Sequence, residues 1–317
     1  MAGKIDDRRL MIPPDDAVVV FRTVKSAVSG RLVRLGATAD AILKAHKLAD
    51  LAAETLGHAL TLSALIGSAL PVSGRLILQA RTNGPVSLLV ADFDAPGRLR
   101  GYARYDTGGL SAAARSRAKL TAADALGDGH LAITIDPGPG SDRYQGIVAL
   151  DGATLAAAAA DYFENRESLP TFVRLAAAKY SSAGSGGAWR WRTGGLMMQK
   201  LSRRDDQDAA PEIEEDSDHW NRVRTLAATL EDHELLDPAL SAEHLLLRLF
   251  HEEGVRVERA LPLSHACKCS RQRVADVLAS FGAKEISDMR DDAGRIVVTC
   301  EFCATAYAFE PAEIAAP

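Results

Sequence analysis

Four cysteines, Cys267, Cys269, Cys300 and Cys303, are all that the 317-residue sequence contains, and all lie in its last fifth. One C-x-C pair and one C-x-x-C pair, some thirty residues apart, are most simply four thiolate ligands of a single tetrahedral Zn²⁺. Two cysteines one or two residues apart on a tight turn point both sulfurs at one ion. The long insert lets a second such turn close the tetrahedron from the other side. The competing chemistry is two disulfides or four plain reduced thiols. No secretory signal is visible, so a reducing, cytoplasmic setting is expected and permanent disulfides are disfavoured. Cys300-Glu-Phe-Cys303 alone could suggest a thioredoxin-like redox motif, but no βαβ pattern surrounds it. His265 is near enough to be an alternative ligand; beside four thiols it reads as a loop residue.

The elements that must hold these residues are legible around them. Ser270 is a candidate N-cap for a helix over residues 271–281, with Val274, Val277, Leu278 and Phe281 at helical spacing and Gly282 as its stop. Asp292-Ala-Gly294 reads as a turn into a strand over 295–299 that delivers Cys300, and 304–309 reads as the return strand. A helix and a hairpin of this size enclose little core. Metal ligation would therefore supply most of the folding energy, on the order of 10 kcal/mol, and removing the metal should unfold the module.

The rest of the chain supports an α+β fold with a mostly antiparallel sheet domain and packed helices over residues 1–201, an acidic, metastable helical linker over 202–260, and the zinc-binding module over 261–317. In the first part, residues 17–28 read as a strand that Gly30 turns into a second near 31–35. Residues 39–46 and 48–70 read as a short and a long helix, the apolar run 56–70 being too short for a membrane span. Strands follow at 75–82, 86–93, 99–105, 131–135 and 144–150, a helix at 151–166, and strands at 172–180 and 189–201. Asn83-Gly84 marks a hairpin, and Trp189 and Trp191 share a strand face as core or interface residues. Residues 202–212 are polar and linker-like. The middle segment carries 16 acidic against 7 basic residues and the module 8 against 6. Such charge is unsuited to a phosphate backbone, which argues against a zinc-ribbon nucleic-acid adaptor. Within that segment Trp220, Val223, Ala227 and Leu230 form one apolar stripe, and Ser241 caps a second helix carrying Leu245, Leu246, Leu249 and Phe250. Two amphipathic helices in so charged a setting are marginal unless their apolar faces are covered.

Taken together these features resemble the 33 kDa chaperonin family, the redox-regulated holdases also called heat shock protein 33, over essentially the whole length. The cysteine pattern is the family's signature. Arg143-Tyr-Gln-Gly146, Asp161-Tyr-Phe163 with Leu169-Pro-Thr171, Gly194-Gly-Leu-Met197 and Phe250-His-Glu-Glu253 support it. The resemblance implies one Zn²⁺ per reduced chain on all four cysteines, and oxidation by hypochlorous acid, or by peroxide under unfolding conditions. Zinc is then expelled, with disulfides Cys267–Cys269 and Cys300–Cys303. It further implies unfolding of module and linker, dimerisation on activation, and ATP-independent binding of unfolded client proteins, with no nucleic acid or membrane as partner. Trp220, Leu226, Leu230, Leu245 and Phe250 are the candidates for client contact; their plainer reading is packing. An enzyme with a structural zinc staple is the alternative from another class. No nucleophile elbow, His-Glu-x-x-His or nucleotide loop is present to favour it. The stretches 115–126 and 181–187 carry no assigned role.

Overall fold

The computed structural model describes residues 15–26, 28–116, 120–181, 187–200 and 217–314. The expected linker at 202–212 and most of the 181–187 loop lie outside them. In chain order the elements are β1 (Ala17–Thr23), β2 (Val28–Leu35), α1 (Ala37–Ala45), α2 (Asp50–Gly67), β3 (Arg75–Thr82), β4 (Val86–Asp94) and β5 (Arg98–Tyr105). Then come α3 (Thr107–Ser116), α4 (Ala122–Leu126), β6 (Gly129–Asp136), β7 (Tyr144–Ala149), α5 (Leu155–Arg166), β8 (Thr171–Tyr180) and β9 (Arg190–Lys200). The remainder is α6 (Ser217–Ala228), α7 (Asp232–Leu236), α8 (Ala242–Phe250), β10 (Val255–Pro262), β11 (Ser264–His265), α9 (Arg271–Leu278), α10 (Ala283–Asp288), β12 (Ile296–Thr299) and β13 (Ala306–Phe309). By contact the chain forms two units, Met1–His265 and Ala266–Pro317.

The first unit is built on two sheets. One has five antiparallel strands in the order β10-β1-β2-β9-β8; the other has six, β11-β5-β4-β3-β6-β7, antiparallel except where the short β11 runs parallel to β5. Between them lies α2, buried on nearly every side and packed on strands of both sheets. A helix apolar all round belongs in such a place, as its sequence anticipated. Its polar residues are satisfied locally or across the layer: Thr55 bonds the Leu51 carbonyl, and Thr61 Oγ1 meets Thr193 Oγ1 at 2.8 Å.

Several expectations are corrected in detail. Gly30 does not turn the chain; the turn lies at residues 24–26, held by the Thr23 hydroxyl, which accepts from Ser26 Oγ at 2.8 Å and the Val28 N–H at 3.1 Å. Gly30 sits inside β2, where a Cβ would come within 2.1 Å of the Phe21 ring. The β3–β4 connection takes in Pro85 as well as Asn83-Gly84, and the Gly84 N–H donates to the Leu126 carbonyl at 2.9 Å. The stretch 115–126 contains the end of α3 and all of α4, the latter fixed by a Thr121/Asp124 capping box; residues 117–119 lie outside the described set. Trp191 is core, while Trp189 precedes its strand and is exposed. Strand β10 and helices α7 and α10 have no counterpart in the sequence reading.

Two of the quoted motifs prove to be one contact. Tyr162 of α5 donates to Glu167 at 2.8 Å and meets Tyr144 Oη of β7 at 3.1 Å. Any side chain at Gly146 would strike the Tyr162 ring. The glycine thus lets α5 lie down on β7.

The second unit is small. Four fully buried side chains, Leu278, Ile296, Phe309 and Ile314, form its core, with Val274, Ile286 and Tyr307 around them. Ser270 caps α9 by accepting from the Arg273 N–H, and β12 pairs with β13 around the turn that carries Cys300 and Cys303. The helix is shorter than expected, ending at Leu278.

Candidate metal centre and covered sheet face

Cys267 and Cys269 lie on the extended stretch before Ser270; Cys300 and Cys303 lie on the turn after β12. That turn is closed by the Cys300 N–H to the Thr305 carbonyl at 2.9 Å and the Ala304 N–H to the Cys300 carbonyl at 2.9 Å. Ala304 accepts a left-handed conformation, φ 55°, to complete it. The result brings all four Sγ atoms within 4.8 Å of one another. Cys267 Sγ is 3.7 Å from Cys300 Sγ, and Cys269 Sγ is 3.3 Å from Cys303 Sγ, two contacts that join the two halves of the motif. All four are free thiols and half-buried. His265, the alternative ligand, is not in the cluster.

Burial and hydrogen bonding move the thiols of Cys269, Cys300 and Cys303 in different directions. Burial pushes the Cys269 thiol up to about 12 and raises Cys300 too. At Cys303 burial also acts upward, but hydrogen bonds from the side chain and main chain of Thr305, and the neighbouring thiols, outweigh it and bring the group to about 7. Tyr307 Oη lies 3.1 Å from Cys269 Sγ. Four thiolates this close repel one another unless a cation sits among them, and the donor set fits a soft or borderline metal ion.

A second feature belongs to the first unit. The face of the five-stranded sheet turned away from α2 carries Val19, Phe21, Leu32, Leu196 and Met198, and α6, α7 and α8 lie over it. All five residues offered as client contacts are in this layer. Leu230, Leu245 and Phe250 are fully buried; Trp220 and Leu226 are half-buried. Phe250 stacks on Phe21 with centroids 5.9 Å apart. Polar clamps hold the cover. Arg222 binds Glu253 at 2.5 Å, and Arg174 of β8 binds Asp232 at 2.8 Å. Arg34 of β2 donates to the carbonyls of Leu240 and Glu234, and Arg192 of β9 to that of Leu236.

Sequence reasoning missed the floor of this layer and both arginines. A signal for the floor was present: Val18-Val19-Val20-Phe21 is apolar without alternation, as in a strand buried on both faces. Nothing marks Arg34 or Arg192 among 37 basic residues.

The sequence model of the family described as "Hsp33 protein" matches residues 16–310. The chain belongs to the Hsp33 family. Among relatives, the 33 kDa chaperonin of Caulobacter vibrioides is 41% identical over 297 residues, covering 94% of this chain and 95% of its own. That of Ectopseudomonas mendocina is 38% identical, covering 91% and 90%. The crystal structure of the 33 kDa chaperonin (heat shock protein 33 homolog) from Thermotoga maritima matches with a TM-score of 0.74, covering 94% of this chain and 96% of that one. At 23% identity it establishes that the Hsp33 fold is shared. Among the described residues no helix is long and apolar enough to cross a membrane.

Proposed function

We propose that this chain is an ATP-independent holdase chaperone switched on by oxidation of a zinc-bound tetrathiolate. The observation that carries this reading is the four-thiol cluster inside a unit whose core is four buried side chains. A tetrahedral Zn²⁺ with Zn–S of about 2.3 Å has S–S edges of roughly 3.8 Å, and the sulfur contacts of 3.7 and 3.3 Å lie close to that. When bound, the ion holds the four sulfurs as thiolates and ties the two halves of the module together. Cys267, Cys269, Cys300 and Cys303 are the ligands.

Thiolates are the oxidisable form of cysteine. Two of them lose two electrons and form one S–S bond, while one hypochlorous acid and one proton become chloride and water. By family resemblance the pairs formed are Cys267–Cys269 and Cys300–Cys303. A module stripped of its ligation has too little core to stay folded. Unfolding then reaches the linker along the chain, since Cys267 follows β11 by a single residue and β11 follows β10 and α8. With α6–α8 gone, the floor of Phe21, Leu32, Leu196 and Met198 becomes a contiguous apolar surface. Such a surface captures unfolding clients without a catalytic site and promotes pairing of two activated chains.

The test pairs metal release with client protection. Reduced protein is treated with hypochlorous acid, released zinc is read with a colorimetric chelator, and the same samples are assayed for keeping a thermally unfolding protein in solution without ATP. One zinc per chain leaving as protection appears, reversibly on thiol reduction, is the expected result. Zinc loss without protection would make the metal a structural staple and remove the chaperone switch.

A further inference from the structure

The cover is not held by apolar contact alone. At one corner of the covered face the sheet grips the linker by its main chain. Arg34 and Arg192, 3% and 8% exposed, give three carbonyls, those of Glu234, Leu236 and Leu240, charged donors. Arg192 is itself fixed by Asp15, with contacts of 2.7 and 2.5 Å to the two carboxylate oxygens. Gly194, opposite Arg34 and two residues from Arg192 along β9, leaves the sheet bare, and a Cβ there would stand 3.1 Å from the Leu235 carbonyl oxygen. The corner is therefore shaped for a peptide backbone. The captured segment is α7 and the loop after it, a helical turn whose final carbonyls have no partners of their own within the helix. Its Leu235 and Leu236 side chains meanwhile enter the apolar layer.

Two buried guanidinium groups do not become indifferent when their occupant leaves. Their N–H donors remain, and the Nε of Arg34 already has no acceptor among the described residues. Backbone carbonyls are present in every client, so donors aimed at them recognise chain without reading sequence.

We propose that Arg34, Arg192 and the bare Gly194 form a backbone-reading corner of the client surface, and that residues 229–241 occupy it at rest as a built-in stand-in for client. The class of client segment it takes is a frayed helical turn ending in apolar residues, with its last carbonyls free, rather than a fully extended strand. The inference rests on the holdase reading above and refines where and how that surface binds.

The experiment uses the full-length oxidised chain and a fluorescent peptide spanning residues 229–243, followed by anisotropy. A second peptide replaces the Leu240–Ser241 amide by an ester, which weakens one of the two carbonyls that Arg34 holds while keeping both side chains. The amide peptide should bind oxidised protein and compete with client, the ester peptide should bind about tenfold more weakly, and Arg34→Gln should abolish the difference between them. Because the ester is in the ligand, this comparison does not depend on a variant folding. Equal binding of amide and ester peptides to the unaltered protein would overturn the proposal, as would client held by oxidised protein with no competition from the peptide. Oxidised protein that holds no client at all would instead bring down the holdase reading itself.

Discussion

At the scale of single residues the cysteines offer two sets of pairings to the proposed oxidation. In the folded module Cys267 faces Cys300 and Cys269 faces Cys303. In an unfolded module the partners one and two residues away meet far more often, because short loops cost less entropy to close. Peptide mapping of the oxidised protein without reduction should therefore find Cys267–Cys269 and Cys300–Cys303; cross-linked 267–300 and 269–303 would show that disulfides form before the module opens. Glu253 makes a second residue-scale case. Its carboxylate is almost wholly buried, and although burial opposes its charge, hydrogen bonds from Arg222 and Ser26 hold it below the usual carboxylate range. Replacing it by Gln leaves Arg222 without its counter-charge and should loosen α6 by about 1–3 kcal/mol. The readout is hydrogen exchange over residues 217–228, faster in the variant while the cysteine-bearing unit is unaffected. The cysteine spacing was enough to find the four-thiol cluster, because ligand chemistry constrains spacing strongly. The Arg222–Glu253 and Arg34–carbonyl contacts were illegible, since they join residues 31 and about 200 positions apart and charge alone does not name a partner.

Among the elements, the proposed switch turns on the cover over the five-stranded sheet. Its helices were readable from apolar spacing and from Ser241, whose hydroxyl accepts from the His244 N–H. Short α7 and α10 escaped notice because five- and six-residue helices carry too few turns for periodicity to show. Strand β10 escaped because its burial follows no clean alternation; it lies at an edge, half in solvent. Phe250→Ala removes a buried ring stacked on Phe21 and should cost the cover about 3–5 kcal/mol. Reduced, zinc-loaded F250A is expected to bind client at temperatures where the parent does not; unchanged client binding would mean that the cover's release is not limited by its own packing. Beneath the sheet, α2 supplies a pH dependence. Burial holds His58 down at about 4 against an ordinary 6.5, with Asp232 opposing. The folded state thus resists a proton that the unfolded chain accepts, so stability present above pH 6.5 is lost as pH falls toward 4, by about 3 kcal/mol. Urea midpoints at pH 7 and pH 4.5 measure the loss, and His58→Gln should flatten it.

For the whole molecule the division into two units predicts two separable unfolding events. The first unit has a core spread over two sheets and a central helix; the second has four buried residues and its thiols. Chelating the metal from reduced protein should melt 266–314 while the backbone of α2 and β3–β6 stays protected from exchange. Simultaneous loss of both would show one cooperative unit. The α+β class was legible because most of the longer strands and helices are locally consistent. The stacking of two sheets on α2 was not, since contacts such as Thr61 with Thr193 depend on long-range pairing that no local pattern encodes.

The five-stranded sheet borrows its outermost strand from the segment that leads to the cysteines. Residues 255–262 run antiparallel along β1, matched from Ala17 opposite Pro262 to Thr23 opposite Val255. Should the collapse of the module reach that strand, β1 would be left with a row of unpaired N–H and C=O groups beside an uncovered apolar face. A bared edge of this kind is a template for main-chain addition. Activation reaching this far would give the sheet not just a sticky surface but an open hem, onto which another chain's strand, from a client or from a second activated copy, could be stitched.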